Sequence, residues 1–372
     1  MGFGLEQKIM SIKLAIDVMG GDNAPEMIIA GVAISQRQYP NVLFLLYGDK
    51  AQISPLIAKH KLDASRLTVI HTDEVVTSDM QPIAALRGSK TSSMRLAIQA
   101  VADGQADAVV SAGNTGAYMA LSKILLKTLK GIDRPAIAAS IPTLLGRGVM
   151  LDLGANVECT TENLLQFALM GQVFSQQVLG NKTPSVGLLN IGEEDLKGNA
   201  VIKETHAILK EQQWVSNFKG FVEGNDILTG KVDVIVTDGF TGNVCLKTLE
   251  GSFKLFKEYL TEQFNRNWWT RFTYLLAKPS LKSFGKLFEP RRNNGALYLG
   301  LNGISVKSHG NTDALGFSYA IAVAIDMVDR DVNRLIREGL EKWHEDLMIK
   351  KQETLDYDNQ NPTATPLKKA AM

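Results

Sequence analysis

The sequence predicts an α/β protein, a largely parallel β-sheet with helices on both faces. Three observations carry that prediction. Short apolar or β-branched runs alternate with longer stretches of helical spacing, and polar, glycine-bearing clusters stand directly after several of the runs. The 372 residues also show no fixed-period repeat, no glycine-serine linker and no shift in composition that would divide them into independent halves.

The strand-like runs are Ile12 to Val18, Val42 to Tyr47, Leu67 to His71, Ala108 to Ser111, Gly148 to Asp152, Ser185 to Asn190 and Val232 to Thr237. They are apolar without strict alternation, as strands buried on both faces are. Helical spacing fills Met94 to Ala102, Tyr118 to Leu129, Thr161 to Val178 and Ala200 to Gln212. One compact catalytic unit is expected over 12–350, and the polar, aperiodic stretch Lys351 to Met372 is expected to be a flexible tail.

Composition narrows the function classes. With 45% hydrophobic and 21% charged residues the chain can bury a core, and its net charge of +1 offers no general field for nucleic acid. Its two cysteines, Cys159 and Cys245, sit in apolar surroundings without metal-ligand spacing, so neither a disulfide framework nor a zinc site is expected, and a reducing cytoplasm fits. Glu6 and Lys8 interrupt the first residues where a secretory signal is apolar, and no apolar run reaches the ~18 residues of a membrane span. The expectation is a cytoplasmic enzyme that needs no metal and no cofactor.

Open α/β sheets bind ligands at the carboxyl ends of their strands, so five clusters there are the candidate site. The first is Asp17 to Pro25, where Gly20 and Gly21 permit a tight turn and Asp22 or Asn23 can cap a helix. The second, Ser111, Ala112, Gly113, Asn114, Thr115 and Gly116, precedes a helix and presents backbone N–H groups suited to an anion, although it lacks a P-loop lysine. The third, Asp152 to Asn156, leads to a helix start at Thr160 or Thr161. The fourth, Asn190 to Asn199, gathers Glu193, Glu194 and Asp195 around Lys197. The fifth, Thr237 to Asn243, holds Asp238 or Thr241 as a helix cap, with Lys247 one helical turn further on. An ordinary capped turn accounts for each taken singly. All five on one side of one sheet exceed what connectivity needs and point to a crevice for an anionic ligand.

The absence of a G-x-S-x-G elbow argues against a serine hydrolase, and of the five histidines only His309 lies beside glycine in a candidate loop. A different signal fills 253–292, where lysines and arginines outnumber acids among aromatic residues. Phe253, Phe256, Leu260 and Phe264 recur there at helical spacing. A basic helical segment of this kind suits the surface of an anionic membrane, with Trp268, Trp269, Phe272, Leu275 and Leu276 as the contacts. A helical hairpin packed in the core or on a second subunit explains the same pattern.

Five blocks in unbroken order then bring a family into view: IKLAIDVMGGDNAP from Ile12, SAGNTG from Ser111, LDLGAN from Leu151, LLNIGEEDLKGN from Leu188 and TDGFTGNVCLKTLE from Thr237. From about Ile12 to Met327 the chain resembles the bacterial phosphate acyltransferases, also called acyl-ACP:phosphate acyltransferases. The resemblance implies an α/β/α sandwich similar to the isopropylmalate dehydrogenase and phosphotransacetylase folds, as a homodimer. It implies transfer of a fatty acyl group from acyl carrier protein to inorganic phosphate for phospholipid synthesis, at the inner face of the cell membrane. A downstream glycerol-phosphate acyltransferase is a possible partner; nucleic acid is not.

By that resemblance Lys197 and Asn243 are the catalytic candidates, one neutralising phosphate or the developing oxyanion and the other donating a hydrogen bond. Ser111, Gly113, Asn114, Thr115 and Gly116 become a phosphate cradle. Asp17, Gly20, Gly21, Asp22 and Asn23 form a second wall, with Asn156, Asp238 and His309 further out. The chain departs from the family pattern around Asn293 to Leu301. A nicotinamide-dependent dehydrogenase of related fold and a non-catalytic membrane scaffold are the competing readings. The first lacks a clear carboxylate metal set and dinucleotide site, and the second leaves the five clusters unexplained.

Overall fold

A computed structural model describes residues 11–211, 215, 217–287 and 294–345. In chain order the elements begin β1 (Lys13–Asp17), α1 (Glu26–Gln38), β2 (Leu43–Gly48), α2 (Lys50–His60), β3 (Leu67–His71), α3 (Pro82–Gly88), α4 (Ser93–Ala102), β4 (Ala108–Ser111) and α5 (Thr115–Leu126). There follow β5 (Ala136–Thr143), β6 (Gly146–Leu151), α6 (Thr161–Val178), β7 (Val186–Leu189), α7 (Ala200–Glu211), β8 (Phe218–Val222) and β9 (Val234–Val236). The last are α8 (Gly239–Asn265), α9 (Trp268–Leu287), β10 (Ala296–Leu299), β11 (Ile304–Lys307) and α10 (Ala314–Asp329), after which 332–345 are helical. Gln212, the end of the basic segment from Phe288 to Arg292 and the tail from Lys351 lie outside the described residues.

Polar clusters start most of the helices that follow them. Asn114 Oδ1 accepts from Ala117 N at 3.0 Å to open α5, and Asp238 accepts from Thr241 N and Oγ1, both at 2.8 Å, to open α8. Thr160 and Asn163 form a reciprocal capping box on α6. The expected cap at Asp22 or Asn23 is absent: α1 opens after Pro25 with no side-chain cap, and Asp22 N donates instead to Gly310 O at 2.9 Å.

The strands form one sheet in the order β3-β2-β1-β4-β11-β10-β5-β6-β9-β7-β8. β3, β2, β1, β4 and β11 are mutually parallel, as are β6, β9, β7 and β8. Between the blocks, β10 and β5 are antiparallel to each neighbour, so the blocks run in opposite directions. The expectation that all five polar turns share one side of the sheet is thereby corrected. Asp17 and Ser111 end strands of one block, whereas Asp152, Asn190 and Thr237 follow strands of the other. The cause lies in the β5–β6 and β10–β11 connections, which are too short for the crossover that parallel pairing requires.

Each face of the sheet carries its own apolar core. Residues of α1, α6, α7 and α10 pack with Leu14, Ile16, Val110 and Val306 on one face. Residues of α3, α4, α5 and, partly buried, α8 pack with Ala15, Val109, Ile137 and Met150 on the other. Strand alternation then sends Asp17, Ser111 and Lys307 toward the α4, α5 and α8 face.

Candidate functional site

Three neighbouring parallel strands end in polar residues that stand in register: Asp17 pairs with Ser111, and Ser111 with Lys307. Asp17 is 1% exposed, accepting from Ser93 Oγ and Ser111 Oγ at 2.6 Å each. Burial raises its pKa, while those hydroxyls, the Met19 N–H and the Lys307 charge act against the rise. Lys307 is 7% exposed. Its ammonium donates to the Ser308 carbonyl, and burial pushes its pKa down to about 8 although Asp17 and Asp22 pull it up.

The loops above this row fit only because Gly20 and Gly113 have no side chain. A Cβ at Gly20 would lie 2.4 Å from Asp17 Oδ2 and 2.7 Å from Gly113 N, and one at Gly113 would meet Met94 Cε at 2.5 Å. The three loops are tied together: Asp22 N donates to Gly310 O, and Ser308 N to Ser111 O, each at 2.9 Å. Buried Asn294 holds the third loop, donating to Ser308 Oγ and Gly316 O and accepting from His309 N. Asn23, Thr115 and Gly116 lie exposed at the rim with Asp22. Asn114 is spent within the fold, since its Nδ2 serves the carbonyls of Thr77, Ser78 and Met80.

The second group occupies the adjacent ends of β6, β9 and β7. Asp152 is buried and accepts from Ile137 N, Ala155 N, Asn156 N and Asn156 Nδ2 at 2.7 to 3.0 Å. Burial raises its pKa against those four donors. Asn156 is buried too and its Nδ2 also donates to Pro135 O at 2.8 Å, so this pair organises the turn. Asp238 is likewise occupied as the α8 cap. Lys197 and Asn243 are exposed at the ends of neighbouring strands β7 and β9. The Lys197 stem lies against Gly192, and Asn243 against Gly154.

Helix α8 connects the two groups along one face. It starts beside Asp152, and seven residues beyond Asn243, about 10 Å at 1.5 Å per residue, comes Glu250. Glu250 Oε2 accepts from Lys247 Nζ at 2.7 Å, and its Oε1 lies 4.0 Å from His309 Nε2. Desolvation pushes the His309 pKa down, opposed by Glu250 and reinforced by Lys307 and Lys247. The Cys159 thiol is pushed up to about 11 by burial and by Asp152, and burial raises Cys245 also, so neither is a ready thiolate nucleophile. No metal-holding cluster of His, Cys, Asp and Glu occurs among the described residues.

Sequence reading missed Lys307, Ser93 and Asn294 as members of the first group. The available signal was a lysine closing the short run Ile304, Ser305 and Val306, a position where an unsolvated charge needs a reason.

Beyond Glu250 the helix leaves the core. Asn267 and Thr270 bond reciprocally across the turn into α9, and the stacked Trp268 and Trp269 rings have centroids 3.8 Å apart. Trp268, Trp269 and Leu276 are 65%, 60% and 69% exposed, and Phe272 and Leu275 are exposed beside them. Among the described residues, Trp268, Trp269 and Phe272 thus lie on the hairpin surface and not in the core of this chain. Among the described residues no helix is long and apolar enough to cross a membrane.

The family model described as "Fatty acid synthesis protein" matches residues 12–335. A phosphate acyltransferase of Rhodospirillum centenum is 53% identical over 327 residues, covering 88% of this chain and 92% of the relative. One from Rhodospirillum rubrum is 49% identical over 332 residues, covering 89% and 95%. Among solved structures, a phosphotransacetylase from Streptococcus pyogenes has a TM-score of 0.56 at 14% identity, covering 86% of this chain and 94% of its own. A branched-chain phosphotransacylase from Enterococcus faecalis has a TM-score of 0.53 at 16% identity, covering 86% and 99%. These two likenesses establish the fold, and the sequence matches establish the family. This chain belongs to the phosphate acyltransferase family of fatty acid synthesis proteins and is an acyltransferase.

Proposed function

We propose that this acyltransferase moves a long-chain fatty acyl group from acyl carrier protein to inorganic phosphate, giving acyl phosphate for phosphatidic acid and phospholipid synthesis. The observation that carries the reading is the likeness to phosphate acyltransferases along 88% of the chain. A phosphate oxygen attacks the thioester carbonyl carbon, the C–S bond breaks, and the carrier leaves as a thiol with the proton that hydrogen phosphate gives up. Phosphate is already a competent nucleophile, so the enzyme has to position it and stabilise charge, with no covalent intermediate. The raised thiol pKa values of Cys159 and Cys245 agree with that.

In this reading the Ser111 to Gly116 turn cradles phosphate, and the Asp17 to Asn23 loop and His309 wall the same end of the crevice. Lys197 and Asn243 supply the cation and the amide donor at the other end of α8. Asn156 and Asp238 act through the turns they fix. Carrier thiol release measured against phosphate concentration tests the proposal: release that saturates with phosphate supports it, and equal release without phosphate identifies a thioesterase instead.

We propose further a cytoplasmic enzyme held by its α8–α9 hairpin on the inner face of the cell membrane, working as a homodimer and passing acyl phosphate to a glycerol-phosphate acyltransferase. Exposed indoles and leucines beside Arg266, Arg271 and Lys278 suit an anionic surface. Replacing Trp268 and Trp269 together with Ala is expected to lower binding to vesicles rich in anionic lipid at least tenfold in a sedimentation assay. Thiol release from carrier in free solution is expected to stay within about threefold of the parent. Unchanged vesicle binding would remove the hairpin from this role.

A further inference from the structure

The sequence motifs assign nothing to Lys307, yet its place in the fold is unusual for a lysine. It closes β11, the last strand of the sheet's first parallel block, with parallel β4 on one side and antiparallel β10 on the other. Lysines are almost never this buried without a partner, because removing an ammonium from water is costly unless an opposite charge answers it. Among the described residues, Lys307 donates one hydrogen bond, to its neighbour's carbonyl, and no carboxylate lies within ion-pair distance. Both oxygens of Asp17, the nearest acid in the row, are already occupied by Ser93 and Ser111.

The charge therefore lies buried at a strand end beneath loops whose outer residues are polar and exposed. Asp22, Thr115, Gly116 and His309 are exposed there. Helix α5 starts four residues after Ser111, the register partner of Lys307. Asn114 caps only the Ala117 N–H, and the Thr115 and Gly116 N–H groups have no acceptor among the described residues. A buried cation and the positive end of a twelve-residue helix thus stand at the ends of neighbouring strands, β11 and β4.

We propose that the Lys307 ammonium, together with the Thr115 and Gly116 N–H groups, forms the site that holds the inorganic phosphate. This rests on the acyl-transfer reading above and names the cation of its phosphate site. Asp17 is a positioning residue here: through Ser111 it fixes the floor on which Lys307 stands. The groups that act on the Lys307 charge are Asp17 on β1 and Asp22 on the following loop, and His309, itself influenced by Glu250 and Lys247 of α8, feels the Lys307 charge.

The test compares the parent with Lys307→Met, which keeps most of the stem and removes the charge, using inorganic phosphate as the probe. Expected results are a rise of at least thirtyfold in the KM for phosphate, a KM for the acyl carrier thioester within twofold of the parent, and loss of the phosphate-dependent rise in Tm. A phosphate KM and a Tm response both equal to the parent's overturn the proposal. If Lys307→Met fails to fold, the parent's own pH profile decides. Its phosphate KM should climb as pH rises through about 8, where Lys307 loses its proton and phosphate is already the dianion. A flat profile from pH 7.5 to 9.5 also overturns the proposal. Should the parent release thiol without phosphate, the acyl-transfer reading itself fails, and the phosphate-dependent Tm rise still reports on Lys307 alone.

Discussion

Lys197→Met is expected to lower kcat/KM by roughly 10²- to 10³-fold, the loss that follows removal of one group stabilising charge in a transition state. Lys197 is exposed, and only its stem lies against Gly192, so thermal unfolding should shift by no more than about 1 °C, as surface substitutions do. Asn243→Ala should fall in the same range. If the two side chains act on the same developing charge, the double variant loses less than the product of the single losses. Steady-state kinetics with carrier thioester and phosphate checks all three. A Lys197 variant with the parent's turnover excludes this lysine from the chemistry.

Gly242→Ala is expected to be the most damaging single methyl addition among the α8 glycines. A Cβ there would lie 1.9 Å from the Asp152 carbonyl oxygen and 2.9 Å from Thr237 Cγ2. That oxygen cannot retreat cheaply, since Asp152 N donates to Thr237 O at 2.9 Å and its carboxylate carries the whole turn. The cost should reach about 3 kcal/mol, well above the ~1 kcal/mol that alanine gains over glycine in a helix. Gly251→Ala, in the same helix with nothing within 4 Å, should instead stabilise by up to about 1 kcal/mol. Urea midpoints of the two variants should therefore move in opposite directions. Equal shifts would mean that α8 does not rest on the Asp152 turn.

The strands that the sequence revealed were those rich in Val, Ile and Leu, such as Leu67–His71 and Ala108–Ser111, which match it end to end. Those it concealed have local causes. β5 opens Ala136, Ile137, Ala138, Ala139, a composition poor in strand propensity, and β8 carries Gly220 at φ +86°. β10 and β11 are short and set among Gly295, Gly300 and Gly303, so they read as loop. Missing them hid the reversal of polarity, because apolar runs carry no direction.

The site was legible to the same degree. Its glycine-bearing turns stood out, and of the two caps considered for α8, Asp238 and Thr241, it is Asp238 that serves. The row of Asp17, Ser111 and Lys307 joins residues up to 290 positions apart through strand register, which no local pattern encodes.

Labelled phosphate tests the central claim most directly. The protein would be incubated with long-chain acyl carrier thioester and phosphate bearing four heavy oxygens, and the products followed by mass spectrometry. Attack by a phosphate oxygen on the carbonyl carbon predicts acyl phosphate retaining all four heavy oxygens, in step with one free carrier thiol per product. Free fatty acid appearing beside unconsumed labelled phosphate would contradict the account.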